Sequence, residues 1–313
     1  MKAFLRKFIL FLLLVPVVWI LGLFAYVKVI PGFMQTNVRV NFYRNFNTYT
    51  FKDIDTVKNV DILVAGPSSG FRSFDPRIFG QAGARTFIMG SSAQSPVQTE
   101  YLVNKYLDKI KPKMFVYVID MQSFSSDGAE GWLFLMNNIT HYDGGFLKNV
   151  METKNLILLN TLTYNMVAGL FSQPEPAKYD FESYVSNGFV QYNTPYRDTS
   201  VFSVTYSKAK CEFGDNQKLA FERIINAVKE RNIPIVFVQT PIAHQFFDRV
   251  SNPDEFDKYI QSHSGIHYIN CNYSNFTDHE MWDVIHMNQS GVDKFDHLLI
   301  DSFTSWKLLP IKR

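Results

Sequence analysis

The longest apolar run of the chain lies near its N-terminal end. Every position from Phe8 to Val27 is aliphatic, aromatic, Gly or Pro, and no charge interrupts the run. As a helix, this run rises about 30 Å, the thickness of the hydrocarbon core of a bilayer. The run therefore predicts one transmembrane helix. Because it is longer than the apolar part of a signal peptide, and no small-x-small cleavage site follows it cleanly, an uncleaved anchor is favoured over a cleaved leader.

The charges that flank this run predict its orientation. Lys2, Arg6 and Lys7 precede the run, whereas only Lys28 follows it closely. Cytoplasmic flanks of membrane helices carry the excess of Lys and Arg. We therefore expect a single-pass protein of the cytoplasmic (inner) membrane with its N-terminus inside. The rest of the chain then lies in the periplasm or another extracytoplasmic space, and the first expected partner is the lipid bilayer, through residues 8–27.

Beyond residue 58, short apolar runs alternate with segments of helical spacing. The apolar runs predict five strands, at residues 60–65, 86–89, 114–119, 233–239 and 266–269. The intervening pattern predicts helices that begin at Pro76 or cover residues 99–109, 217–230 and 289–303. Strands that alternate with helices imply parallel pairing with right-handed crossovers. The fold class is therefore an α/β sandwich around a parallel sheet.

Segments that do not fit this alternation suggest the domain organisation. Residues 122–210 are rich in Tyr, Phe, Asn and Gly, and we expect an inserted cap there. Residues 31–58 are expected to form a polar stalk, with many Asn and aromatic residues from Asn37 to Lys58. The predicted order is an anchor at 1–30, the stalk at 31–58, an α/β domain at 59–305 that carries the cap, and a C-terminal tail at 306–313.

Composition excludes several classes of protein. With 46% hydrophobic residues the chain is not disordered, and a net charge of +2 without basic runs argues against a nucleic-acid partner. Cys211 and Cys271 are too few for a disulfide scaffold; they form either one bridge or two buried thiols. His263 and His267 are four positions apart, but no third ligand accompanies them. We expect no metal site and no cofactor.

Candidate chemistry gathers where the predicted strands end. Ser68 and Ser69 follow the first strand, and the second strand ends at Gly90. Asp283 and His286 precede the last helix. In open α/β sheets, ligands bind beyond the carboxyl ends of the strands. A serine, an aspartate and a histidine in that place can carry out nucleophilic acyl transfer, with the histidine as the base and the aspartate as its orienting partner.

Three blocks of this chain resemble the SGNH/GDSL hydrolases, in the membrane-anchored form of bacterial envelopes. The similar blocks are residues 61–79, 87–96 and 282–291. The resemblance implies a flavodoxin-like three-layer sandwich. It also implies a catalytic triad of Ser68, Asp283 and His286, and an oxyanion hole formed by the amides of Ser68 and Gly90.

Two departures from the family pattern leave alternatives open. Pro67 stands where a small polar residue usually precedes the nucleophile, and a turn shifted by one position would make Ser69 the reactive hydroxyl. The Gly-x-Asn-Asp segment that supplies a third oxyanion donor is replaced at positions 120–123 by Asp-Met-Gln-Ser. Either Gln94 or Gln122 takes the place of that asparagine, or the hole has two amides only.

The resemblance implies a function in the cell envelope. We expect a serine-dependent acyl-ester hydrolase or O-acyltransferase whose substrate is an acylated glycan or glycolipid. Envelope members of this kind work with a multi-span membrane O-acyltransferase, which is therefore an expected partner. The alternative is a non-catalytic scaffold of the same fold that binds such an acyltransferase or presents glycan.

Overall fold

A parallel sheet of five strands forms the centre of the protein. The computed structural model describes residues 1–40, 43–171, 175, 179–204, 206–273 and 275–308. The strands of this sheet are β1 (Ile62–Gly66), β2 (Thr86–Gly90), β3 (Met114–Val118), β6 (Ile235–Gln239) and β7 (His267–Asn270). Their spatial order is β2-β1-β3-β6-β7, and every pair is parallel. This is the flavodoxin-like order, so the predicted fold class is confirmed.

Helices cover both faces of the sheet and complete three layers. The helices are α1 (Lys2–Val29), α2 (Asn47–Asp53), α3 (Ser68–Phe71), α4 (Pro76–Gln81), α5 (Pro96–Ile110), α6 (Met121–Ser125), α7 (Ala129–Asn138), α8 (Gly144–Glu152), α9 (Leu156–Ala168), α10 (Asp215–Lys229), α11 (His244–Phe247), α12 (Pro253–Gln261) and α13 (Gln289–Ser305). On β1, Leu63 and Ala65 face one apolar cluster, while Ile62 and Val64 face another. Because strands buried on both faces need apolar residues at every position, their sequence shows the continuous runs that predicted them.

Helix starts follow from local capping chemistry. The Asp75 carboxylate accepts a hydrogen bond from the Arg77 amide, and Pro76 occupies the first position of α4, as predicted. Helix α5 begins at Pro96, three residues before the predicted start, because Ser95 and Gln98 form a capping box there.

Helix α1 extends the predicted apolar run at both ends, to Lys2 and Val29. Among the described residues it is the helix that is long and apolar enough to cross a membrane. It fits a single-pass membrane anchor.

The segment expected to be a polar stalk packs into the domain instead. Helix α2 lies in this segment, and Phe51 and Ile54 are fully buried in the apolar cluster that also contains Leu63. The polar Asn47 is buried as well, and its side-chain amide donates to the Gly90 carbonyl. Residues 41 and 42 of the expected stalk and 309–313 of the expected tail lie outside the described residues.

In the described part of the segment expected to be a cap, residues 122–210, lie the helices α7 to α9, most of α6, and a hairpin. Helix α7 is buried along its length, and Trp132, Phe134 and Leu135 belong to the main apolar cluster. These helices are therefore part of the domain's packing on one face of the sheet. The hairpin consists of the antiparallel strands β4 (Glu182–Ser186) and β5 (Phe189–Tyr192).

The hairpin turn fixes the hairpin to the edge of the sheet. Asn187 and Gly188 form the two-residue turn with φ of 50° and 89°, as a type I′ turn requires. The Ile88 amide on the edge strand β2 donates to the Asn187 carbonyl at 2.8 Å. A Cβ atom on Gly188 would lie 2.0 Å from the Ile88 carbonyl oxygen, so only glycine allows this approach.

We predict that Gly188→Ala destabilises the protein by at least about 2 kcal/mol, because the methyl group meets backbone at a positive φ. Gly80→Ala is the matched control, since a Cβ at Gly80 in α4 meets no atom within 4 Å. Denaturant unfolding of the full chain in detergent measures both free energies. Equal stability of the two variants would contradict the turn geometry.

Candidate active site

A sharp turn at the end of β1 presents Ser68. Gly66 ends the strand with a φ of 149°, and a Cβ atom there would lie 2.6 Å from the Val118 carbonyl oxygen. Pro67 keeps an extended backbone, and α3 begins at Ser68. The Ser68 amide therefore lies in the first helical turn, where N–H groups have no partner within the helix.

The loop before α13 presents Asp283 and His286. The Trp282 amide donates to the His286 carbonyl at 2.8 Å and closes the loop. The Asp283 Oδ1 atom accepts hydrogen bonds from the amides of Ile285 and His286, each at 2.8 Å. These bonds fix the carboxylate beside the imidazole three residues later.

The three candidate side chains form one hydrogen-bonded chain. The Ser68 Oγ atom lies 2.8 Å from His286 Nε2, and His286 Nδ1 lies 2.9 Å from Asp283 Oδ2. The side chains of His286 and Asp283 are only 11% and 13% exposed, so water screens this pair weakly. The hydroxyl within reach of the imidazole is that of Ser68, while Ser69 lines the neighbouring cavity.

The electrostatics of Asp283 keep its carboxylate charged. Burial alone raises the pKa of this carboxyl. The charge and hydrogen bond of His286, together with the amides of Ile285 and His286, more than offset burial and lower the pKa to about 2. A charged carboxylate on Nδ1 holds the imidazole with Nε2 directed at Ser68.

The four candidate oxyanion donors differ in their surroundings. Gly90 lies beside Gly66 in the register of β1 and β2. Gln94 is buried, and its side-chain amide donates to the Met89 carbonyl and to Thr99 Oγ1. Those bonds hold Gln94 inside its own loop. Gln122 is exposed and lines the same cavity as Ser68, so it is the better placed of the two glutamines.

A cavity of about 370 Å³ opens beside Ser68. Its apolar wall includes Ile119, Met121, Ile242, Phe246 and Ile285. Asp120 also lines it; burial raises the pKa of that carboxyl, and its Oδ1 atom accepts from the Ser123 amide as the cap of α6.

The hairpin contributes contacts behind the histidine that the sequence analysis missed. The Tyr192 hydroxyl lies 3.4 Å from His286 Nδ1, and its ring stacks on Trp282 with centroids 3.7 Å apart. The Arg72 guanidinium lies over the other side of this ring, 4.2 Å from the centroid, and forms an ion pair with Glu182. The Asn-Gly pair at 187–188, a strong signal for a hairpin turn, could have located this element.

We predict that Glu182→Gln destabilises the protein by about 3 kcal/mol, because it leaves a buried guanidinium without its counter-charge. The side chains of Arg72 and Glu182 are 11% and 4% exposed. Glu100→Gln is the control, since Glu100 pairs with the largely exposed Arg223 and should lose less than about 1 kcal/mol. The measurement is the unfolding free energy of each variant. An equal loss of stability in both would contradict a greater contribution from the buried pair.

We also predict that Asp283 makes stability fall in acid. Its folded pKa of about 2 lies below that of an unfolded aspartate, so the carboxylate stabilises the fold above pH 4 by about 2 kcal/mol. This contribution disappears as the pH falls from about 4 to about 2. Between pH 4 and pH 2, the unfolding free energy should fall less in Asp283→Asn than in the wild type. Parallel plots of this free energy against pH would contradict the lowered pKa of Asp283.

Comparisons with known proteins found solved structures that are similar to this chain. No protein-family profile and no curated protein matches the sequence. One similar structure, described as a "putative acylhydrolase" from Bacteroides fragilis NCTC 9343, has a TM-score of 0.43 and 10% identity, covering 85% of this chain and 100% of that one. Another, a "GDSL-like lipase" from Bacteroides thetaiotaomicron VPI-5482, has a TM-score of 0.41 and 9% identity, covering 83% and 98%.

Proposed function

We propose that the protein is a serine-dependent acyl-ester hydrolase or O-acyltransferase with Ser68 as the nucleophile. The observation that carries this proposal is the contact of 2.8 Å between Ser68 Oγ and His286 Nε2. A hydroxyl becomes a nucleophile when an adjacent base removes its proton. The Asp283 carboxylate on the opposite ring nitrogen is the third member of that arrangement.

In the first half of the reaction the ester transfers its acyl group to Ser68. His286 Nε2 takes the proton of the hydroxyl while Oγ attacks the ester carbonyl carbon. The tetrahedral intermediate then collapses, the bond between carbon and alcohol oxygen breaks, and Nε2 returns the proton to the leaving alcohol. The products are the free alcohol and an acyl ester on Ser68.

The intermediate places a negative charge on the former carbonyl oxygen, which hydrogen-bond donors have to stabilise. We assign this role to the amides of Ser68 and Gly90, with the side chain of Gln122 as the third donor. Gln122 is preferred to Gln94 because the Gln94 amide is engaged with Met89 and Thr99. Loss of one such donor slows acyl transfer about 10²–10³-fold.

In the second half, an incoming hydroxyl removes the acyl group. Water gives a carboxylic acid and makes the protein a hydrolase. A sugar hydroxyl gives a new ester and makes it an O-acyltransferase. His286 takes the proton of either nucleophile and returns it to Ser68 Oγ, so both reactions use the same three side chains.

The location of the site suggests the substrate. The positive residues Lys2, Arg6 and Lys7 in the first turns of α1 favour a cytoplasmic N-terminus, and the α/β domain then lies on the outer side of the cytoplasmic membrane. Envelope glycans and glycolipids carry esters and hydroxyls on that side, and they are the substrate class that the sequence resemblance implies. We therefore propose an acylated glycan or glycolipid as the substrate and a multi-span membrane O-acyltransferase as a partner.

We predict that the full chain in detergent hydrolyses p-nitrophenyl acetate and that Ser68→Ala lowers kcat/KM at least about 10³-fold. His286→Ala should have a similar effect, because the hydroxyl loses its base. Ser69→Ala is the matched control and should retain most of the activity, since Ser69 has no role in the proton transfer.

An opposite pattern, with Ser69→Ala inactive and Ser68→Ala active, would move the nucleophile to Ser69 and contradict this assignment. A wild-type chain that is no faster than Ser68→Ala would favour the non-catalytic scaffold of the same fold.

A further inference from the structure

The ring of Tyr192 lies between the two loops that carry Ser68 and His286. On one face this ring stacks on Trp282, with ring centroids 3.7 Å apart and ring planes 6° from parallel. The central carbon of the Arg72 guanidinium lies 4.2 Å from the centroid of the same ring. Two planar groups at these distances are in van der Waals contact with the ring and cannot share one face of it. The Tyr192 ring is therefore enclosed between Arg72 and Trp282.

Arg72 connects this ring to the nucleophile. It directly follows α3, the short helix that begins at Ser68, and its amide donates to the Ser68 carbonyl at 3.1 Å. Its guanidinium forms the ion pair with Glu182, which is the cross-strand neighbour of Tyr192 in the hairpin. Because cross-strand neighbours project from the same face, the two strands hold Arg72 together, β4 through a charge and β5 through a ring.

Trp282 connects the ring to the catalytic base. It directly precedes Asp283, and its amide donates to the His286 carbonyl at 2.8 Å. Residues that follow β5 hold it in place: the indole Nε1 donates to Thr194 Oγ1 at 3.0 Å, and the Trp282 carbonyl accepts from the Arg197 amide at 3.0 Å. The loop of His286 is thus attached to the hairpin by the ring, the indole N–H and the carbonyl of Trp282.

The hydroxyl of Tyr192 does not orient the imidazole. This hydroxyl lies 3.4 Å from His286 Nδ1, whereas the Asp283 carboxylate lies 2.9 Å from the same nitrogen. Nδ1 of a neutral imidazole has one proton to donate, and the nearer, charged acceptor receives it. Among the described residues, those that line the cavity beside Ser68 do not include Tyr192. Any effect of Tyr192 on the reaction therefore comes from its ring and acts through the two loops.

We propose that Tyr192 is a positioning residue whose ring sets the separation of Ser68 and His286. This inference rests on the proposed function, because it concerns the proton transfer from Ser68 to His286. Removal of the ring leaves a space between Arg72 and Trp282, and the two loops shift as the surroundings relax into it. A displacement of about 1 Å between reacting groups costs about 10²-fold in rate.

A double-mutant cycle on the full chain in detergent tests this role. The measured quantity is the rate at which a fluorophosphonate modifies Ser68, with the adduct located by peptide mass spectrometry. Tyr192→Leu should lower this rate at least about 30-fold when His286 is present, and less than about threefold in the His286→Ala background, because a displaced base matters only while the base is there. A smaller folded fraction would instead lower both rates by the same factor.

Two single variants separate the ring from the hydroxyl and from a general weakening of the hairpin. Tyr192→Phe keeps the ring and should retain at least about a third of the wild-type rate. Tyr184→Leu is the matched control, since Tyr184 is a tyrosine of the same hairpin that contacts Tyr49 and Asp53 of α2. It should also retain at least about a third of the rate, because additivity holds for sites without shared partners.

If Tyr192→Leu does not fold, Thr194→Val takes its place in the cycle. This change leaves the buried indole N–H of Trp282 without its acceptor, so the indole shifts while the Tyr192 ring remains. The rate should then fall at least about fivefold when His286 is present and less than about twofold in His286→Ala.

The positioning role is overturned if the cycle variant reacts as fast as the wild type, or if its rate falls equally with and without His286. A loss in Tyr192→Phe as large as that in Tyr192→Leu would also overturn it, because the hydroxyl would then be the active group. These outcomes require a wild-type chain that reacts at Ser68. A wild-type chain that does not react there contradicts the proposed function and this inference with it, so the two failures are distinguishable.

Discussion

One hydrogen bond, between Ser68 Oγ and His286 Nε2, connects two loops that are 218 positions apart in sequence. The parallel sheet makes this contact possible. Because parallel strands end at the same edge, the turn after β1 and the loop before α13 meet there. The backbone of both loops has little freedom. Gly66 packs so closely against the Val118 carbonyl that no side chain fits there, and Asp283 accepts hydrogen bonds from two amides of its own loop. Displacement of either loop by an ångström would separate the hydroxyl from its base.

The sheet and these two loops could be predicted from the sequence because their signals are local. Strands buried on both faces require continuous apolar runs, which located all five strands of the sheet to within about two residues. The Asp75 cap and Pro76 likewise marked the start of α4. Asp283 and His286 lie in one short loop, so their separation depends only on neighbouring residues. We expected this loop to lie near Ser68 because ligands bind beyond the carboxyl ends of parallel strands and because the blocks resemble a known family.

The remainder depended on packing partners that are distant in sequence. Phe51 and Ile54 lie in a segment that was predicted to be a stalk because of its many Asn residues, although its many aromatic residues are a sign of burial. Tyr192 approaches His286 only because Asn187 and Gly188 fix the hairpin turn on β2. Gln94 and Gln122 are alike as residues, and only their hydrogen-bond partners distinguish a structural amide from one at the cavity.

The central claim is that Ser68 is an activated nucleophile. The most direct measurement is to react the full chain with a fluorophosphonate and locate the adduct by peptide mass spectrometry. A hydroxyl paired with His286 should carry the phosphonyl group at Ser68, at a rate that falls at least about 10³-fold in His286→Ala. An adduct on another residue, or the same rate of modification in His286→Ala, would contradict the account.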